Sequence, residues 1–288
     1  MTTYGARTSG HRFSWRFVAP LAALAAIAPL NFLGIWILSG SWQIGVAPDY
    51  QQYADAIDRF VAGLPLYGPE WQWRYSPAAI LTLAPALAAG LAGWTILHLA
   101  AVALIRPWKL AVLFALSWPF WVDVVSGNAV TFVAVAGIAA IQGSRVGTYA
   151  YWWLTLIMPR PLQLPLGAYL FWKRPDLRYG LLVMTVLNVI VVLMVGQGAE
   201  WLAYLAARGA ENTDAVFNIH PAAELGALWL AIGTPLAALL TWYGWPGAAG
   251  VVLSPSLLAQ YLLMLFVPAD RRSERAERPA TSAFRRRP

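Results

Sequence analysis

The chain has 288 residues, of which 59% are hydrophobic and only 11% charged, against roughly 25% charged in an ordinary soluble domain. Too few polar residues are present to coat a soluble fold of this size, so the reading is an all-α, polytopic membrane protein. The net charge of +7 does not indicate nucleic acid: the basic residues gather at residues 7–16 and 271–287 and in short turns, with no interleaved aromatic-basic face. The absence of cysteine excludes a disulfide framework and a thiolate metal site.

In chain order, residues 1–14 read as a cytoplasmic segment and 15–39 as the first span. The apolar run 17–38 exceeds the roughly 7–15 residues of a signal peptide core, and no small-x-small cleavage site follows, so the helix is expected to be retained. Residues 40–75 form a long polar stretch. Within it Tyr53, Ala54, Ile57, Phe60, Val61 and Leu64 recur at helical spacing, which predicts an amphipathic helix in the membrane interface. Residues 77–105 are apolar but carry Gly90 and Gly93, consistent with one tilted helix or two short ones.

After Arg106 and Lys109, residues 110–125 read as a span. Ser126-Gly127-Asn128 interrupts, and 129–141 follows. Apolar runs 146–158 and 162–172 flank Pro159-Arg160-Pro161, and a span is expected over 179–195. Residues 196–221 form a second polar segment; 224–242 and 248–267 complete the membrane part, with a break at Ser254-Pro255. The tail 269–288 is charged, proline-containing and expected to be disordered. A span needs about 20 apolar residues, which gives about nine or ten crossings within 15–268. The positive-inside rule puts the N-terminus in the cytoplasm. The loops 40–75 and 196–221 then face outward, with Gly127-Asn128 and 159–161, so the polar features share one face.

Four positions stand out on chemistry alone. Asp49, just after Pro48, suits a cap for the helix beginning there, or a general base in apolar surroundings. Arg160 offers a guanidinium matched to a phosphate, or a cation snorkelling to the interface. Asn128 sits where irregular backbone would line a cavity or simply turn between helices. His220 precedes Pro221 at the end of the second loop, as a site residue or a solvated one. Glu200, Glu211, Asp214 and Glu224 read as solvated loop charges. His11, His98 and His220 are scattered without metal-ligand spacing, and no phosphate loop, nucleophile elbow or dinucleotide fingerprint is present.

Several short motifs occur in a consistent order. They are Asp49-Tyr50 with Tyr53 and Ala56, Gly63-Leu64-Pro65-Leu66-Tyr67, Tyr75-Ser76-Pro77, Ala84-Pro85, and Ser126-Gly127-Asn128. Ile157-Met158-Pro159-Arg160-Pro161 with Trp172-Lys173-Arg174 follows, then Leu253-Ser254-Pro255 with Tyr261-Leu262-Leu263. In this order the chain resembles glycosyltransferase family 87, polyprenyl-phosphate-dependent, α-mannosyltransferase-like enzymes of the GT-C superfamily, over most of residues 15–268. Met158 stands where the resembled segment carries lysine, and the chain is short for the family.

The resemblance implies a GT-C-like bundle and transfer of a hexose, mannose among the candidates, at the external membrane face. The donor is a polyprenyl-phosphate-linked sugar, and the acceptor a hydroxyl on a glycolipid or polysaccharide. It implies Asp49 as base, Arg160 and His220 on the phosphate, and Tyr53, Tyr67 and Tyr75 lining the sugar pocket. Asn128 bonds a sugar hydroxyl, and no cofactor or metal is required. The alternative is a non-enzymatic transporter or a lipid-binding or assembly protein on a related architecture.

Overall fold

The computed structural model describes residues 47–68, 71–208, 218–219, 221–255 and 257–268. The expected N-terminal segment 1–14, first span 15–39, tail 269–288 and His220 lie outside the described residues. Within them the chain is mostly helical, with two two-stranded antiparallel pairs.

Helix α1, Pro48–Val61, is the amphipathic helix anticipated from the spacing. Proline suits its first position, where a missing N–H costs nothing and the fixed φ is already helical. Tyr53 and Ala56 are buried, whereas Val61 is 80% exposed. The following loop folds back as Arg59 donates from Nε and Nη2 to the Pro65 carbonyl at 3.0 and 2.9 Å. Strands β1 (Tyr67–Gly68) and β2 (Trp71–Gln72) then form a minimal hairpin. The Gln197 side chain accepts from the Leu66 N–H at 2.8 Å and ties this loop to a distant part of the chain.

The apolar run 77–105 forms two helices, α2 (Pro77–Leu87) and α3 (Gly90–Ala103), bent by 97°. The bend centres on Gly90, whose φ of 71° a side chain would oppose. The run 110–125, expected as one span, is also divided. Helices α4 (Trp108–Leu116) and α5 (Trp118–Ser126) meet at 65°, because Pro119 has no N–H for the helical ladder and Ser117 is extended before it. Helix α6 (Val130–Ile141) packs closely on α7 (Arg145–Ile157), where a Cβ on Gly147 would lie 2.6 Å from that of Ala139.

Pro159-Arg160 and a short 3-10 turn, Pro161–Gln163, lead into α8 (Leu164–Lys173) and then α9 (Arg178–Val195). Helices α10 (Gly198–Arg208), α11 (Pro221–Leu225), α12 (Ala227–Trp242) and α13 (Pro246–Leu253) follow. Strand β3 (Asn218–Ile219) pairs with β4 (Leu257–Leu258), and the last apolar stretch breaks at Ser254-Pro255 before a buried 3-10 helix, Ala259–Phe266.

Two apolar cores result. One joins Phe114, Phe120, Val133, Ile138, Leu166, Leu263 and Met264; the other joins Tyr53, Leu66, Trp73, Ile80, Trp94, Ile157 and Met158. Leu182, Val186 and Leu193 of α9, and Leu228 and Ile232 of α12, are exposed instead, an apolar surface larger than a water-soluble monomer usually tolerates. Among the described residues one helix, Arg178–Val195, is long and apolar enough to cross a membrane, or up to three if each bent pair is one span. The other apolar runs are cut by glycine and proline into shorter pieces.

Candidate functional site

The site begins at the start of α1. Ala47, at a φ of 53°, turns the chain into the helix, and no side chain caps it. Asp49 therefore does not cap α1. It stands in the first turn, and its carboxylate crosses to another element: Oδ2 accepts from Asn128 Nδ2 at 2.8 Å. Burial raises the Asp49 carboxyl above its ordinary 3.8, and the Asn128 hydrogen bond and the Arg160 charge oppose that rise without cancelling it.

Asn128 is placed by the turn between α5 and α6. Gly127 ends α5 in the left-handed conformation, at a φ of 72°. A Cβ there would meet Tyr50 Cβ at 2.5 Å and the Tyr50 nitrogen at 2.9 Å, so only glycine lets α1 sit directly on the turn. Trp94 Nε1 donates to the Gly127 carbonyl at 2.9 Å and fixes it from the other side. Asn128, 3% exposed, uses both ends of its amide. Nδ2 serves Asp49, while Oδ1 accepts from the Ala129 N–H at 2.7 Å and from Arg160 Nη2 at 3.2 Å.

Arg160 is held extended between Pro159 and Pro161, as the residue before a proline prefers. Its Nη2 also donates to the Tyr75 hydroxyl. The guanidinium carbon lies 5.3 Å from the Tyr75 ring centre and 5.5 Å from that of Tyr261, within cation–π range of both. Tyr75 shares a 3.4 Å hydroxyl contact with Tyr53, and its backbone carbonyl accepts from the Tyr67 hydroxyl at 2.7 Å. The Ser76 N–H donates to the Ile157 carbonyl at 2.9 Å, which docks the end of this loop against the end of α7, next to Arg160.

Below Asn128 lies a second polar layer. His98 on α3 and Asp123 on α5 are fully buried, with Nε2 and Oδ2 3.6 Å apart. His98 Nε2 also meets the Asn128 carbonyl at 2.7 Å, and Nδ1 the Trp94 carbonyl at 2.9 Å. Asp123 Oδ2 accepts from the Thr131 N–H at 2.7 Å; Oδ1 has no hydrogen-bond partner among the described residues.

Asp49, Asn128, Arg160 and Tyr75, drawn from four separate segments, are thus joined side chain to side chain. Tyr53 and Tyr67 both contact Tyr75, and Tyr53 is wholly buried. The Asn128 amide is likewise occupied by protein groups. His220 lies outside the described residues. His98, Asp123 and Tyr261 join the cluster without having been singled out. Tyr261 carried a signal through its Ser-Pro…Tyr motif, and Asp123 through being an acid inside an apolar run. Among the described residues no three His, Asp or Glu side chains are grouped to hold a metal ion. Compared with family models, curated proteins and solved structures, the chain matches none.

Proposed function

We propose that the chain is a polytopic membrane glycosyltransferase of about nine or ten crossings, with a cytoplasmic N-terminus and a GT-C-like bundle, working at the external face of the cell membrane. It moves a hexose from a polyprenyl-phosphate-linked donor to an acceptor hydroxyl on a glycolipid or polysaccharide. One observation carries the reading: a half-buried carboxylate with a raised proton affinity, Asp49, is coupled through a single amide to a guanidinium, Arg160. A base and a phosphate-binding cation held by one amide suit displacement at an anomeric carbon.

Asp49 takes the proton of the acceptor hydroxyl as its oxygen attacks the anomeric carbon. The bond from that carbon to the donor phosphate oxygen breaks, and the electron pair leaves with the lipid phosphate. Arg160 offsets the charge growing on that phosphate. Tyr75 and Tyr261 shield the guanidinium from bulk water and strengthen its pull. The apolar outer faces of α9 and α12 support placement in the bilayer, and the motif order of the loop 49–77 supports the sugar chemistry.

The test is transfer from a short polyprenyl-phosphate hexose by the purified chain in lipid nanodiscs. Asp49→Asn should lower kcat by about 10²- to 10⁴-fold, the range for loss of a general base. Arg160→Ala should raise the donor KM and lower kcat by about 10²-fold or more. Wild-type turnover in the Asp49→Asn protein would remove the base assignment, and unchanged donor kinetics in Arg160→Ala would remove the phosphate role.

A further inference from the structure

We infer that Asp123 holds His98 as an imidazolium, and that this buried pair is a positioning device for Asn128, the residue joining Asp49 to Arg160. The inference rests on the transferase reading only for what Asn128 serves; the charge state of His98 stands on geometry alone.

Both ring nitrogens of His98 face backbone carbonyls, Nδ1 at 2.9 Å from Trp94 O and Nε2 at 2.7 Å from Asn128 O. A carbonyl can only accept. Neutral imidazole has one N–H and would turn a lone pair on one of these oxygens; imidazolium donates to both. A charge at a site with no solvent exposure must be compensated. The Asp123 carboxylate, 3.6 Å from Nε2, compensates it. The Phe132 ring on α6 lies against the imidazole with centres 4.6 Å apart, and the Trp94 ring at 5.3 Å, so aromatic side chains enclose it and the compensation must come from Asp123. Beyond these, the Asp49 carboxylate, bound to the Asn128 side chain, interacts electrostatically with Asp123.

The consequence falls on one carbonyl. His98 grips the Asn128 backbone while Thr131, three residues on, donates its N–H to Asp123. The turn 126–128 and the first turn of α6 are thereby fixed to α3 and α5. The Asn128 amide can then point one way only, with its N–H on Asp49 and its oxygen on Arg160. His98 and Asp123 are positioning residues and touch no substrate.

The test uses the full chain in nanodiscs, labelled with ¹⁵N at histidine and asparagine, with His98 identified by loss of its signals in His98→Gln. At pH about 8, above the ordinary histidine value of about 6.5, both His98 ring nitrogens should still carry protons. A single bare nitrogen at His98 overturns the inference. As pH is raised further, the Asn128 side-chain amide signal should move at the same midpoint as the His98 ring signals. An Asn128 amide that ignores the His98 transition overturns the positioning role, with no variant needed. In Asp123→Asn, His98 should become neutral and kcat fall about tenfold with donor KM unchanged; wild-type kcat there counts against the role. If Asp49→Asn keeps full transfer, the transferase reading fails while the spectra still decide the charge state.

Discussion

Asn128 Nδ2 donates to Asp49 Oδ2 across 2.8 Å, although the two residues stand 79 positions apart. The oxygen of the same amide accepts from Arg160, so one side chain joins the carboxylate and the guanidinium. Asn128→Ala removes both bonds and the contact of Oδ1 with the Ala129 N–H. It should cost about 1–3 kcal/mol of stability, since Asp49 and Arg160 lose a buried partner. Transfer should fall by about 10²-fold, with kcat more affected than donor KM. Thermal unfolding and steady-state kinetics in nanodiscs check the two effects separately, and unchanged kcat would mean the amide orients nothing.

The Asp49 carboxyl is raised chiefly by burial, which gives pH a signed effect. In the folded chain it holds its proton to higher pH than in the unfolded chain, whose value is about 3.9. Its contribution to stability is therefore fully present below that value and is lost as pH rises through the folded value. The Tm of wild type relative to Asp49→Asn should decline from acid toward neutral pH. Activity should run the opposite way, rising as Asp49 loses its proton. An activity limb centred at or below 3.8 would show that burial does not govern this group.

Gly127→Ala should disrupt the docking of α1. The new methyl would sit 2.5 Å from Tyr50 Cβ, and the φ of 72° is unfavourable for alanine. Backbone and Cβ atoms cannot swing aside as a flexible side-chain end does, so the helix must move. A loss of about 1–3 kcal/mol is expected for a strained position of this kind. Transfer should drop together with Tm, and faster proteolysis within the segment 47–61 would locate the change. A Tm equal to wild type would mean α1 accommodates the methyl.

Tyr75→Phe removes the hydroxyl that accepts from Arg160 and meets Tyr53. The ring, and with it the cation–π contact, remains. The cost should be about 1 kcal/mol. Donor KM should rise several-fold with kcat nearly unchanged, because the guanidinium keeps its charge and loses only one constraint. A kcat loss as large as that of Asp49→Asn would assign Tyr75 a part in the chemistry itself.

Much of this architecture is legible in residue order. The alternation of Tyr53, Ile57 and Phe60 marks α1, and the uninterrupted apolar run after Arg178 marks α9. Proline on both sides of Arg160 marks an extended residue at a turn. Other features depend on packing. The run 110–125 looks like one span because its apolar count hides Pro119, which divides it. His98 and Asp123 sit 25 positions apart within separate apolar runs, and nothing in their local spacing says that α3 and α5 bring them to 3.6 Å. The hinge at Gly90 and the bend at Ser117 create that meeting. The resemblance implies Tyr53 as a pocket residue, but residue order does not show that its ring lies against those of Tyr75 and Trp73.

The contact between Tyr50 and Gly127 has a consequence for which positions are free to vary. The carboxylate belongs to α1, while the amide and the guanidinium belong to the turns 126–128 and 159–161. Three distant stretches of chain must meet for Asp49, Asn128 and Arg160 to be joined. They meet where position 127 carries no Cβ, so the missing side chain of one glycine sets the register of the whole cluster.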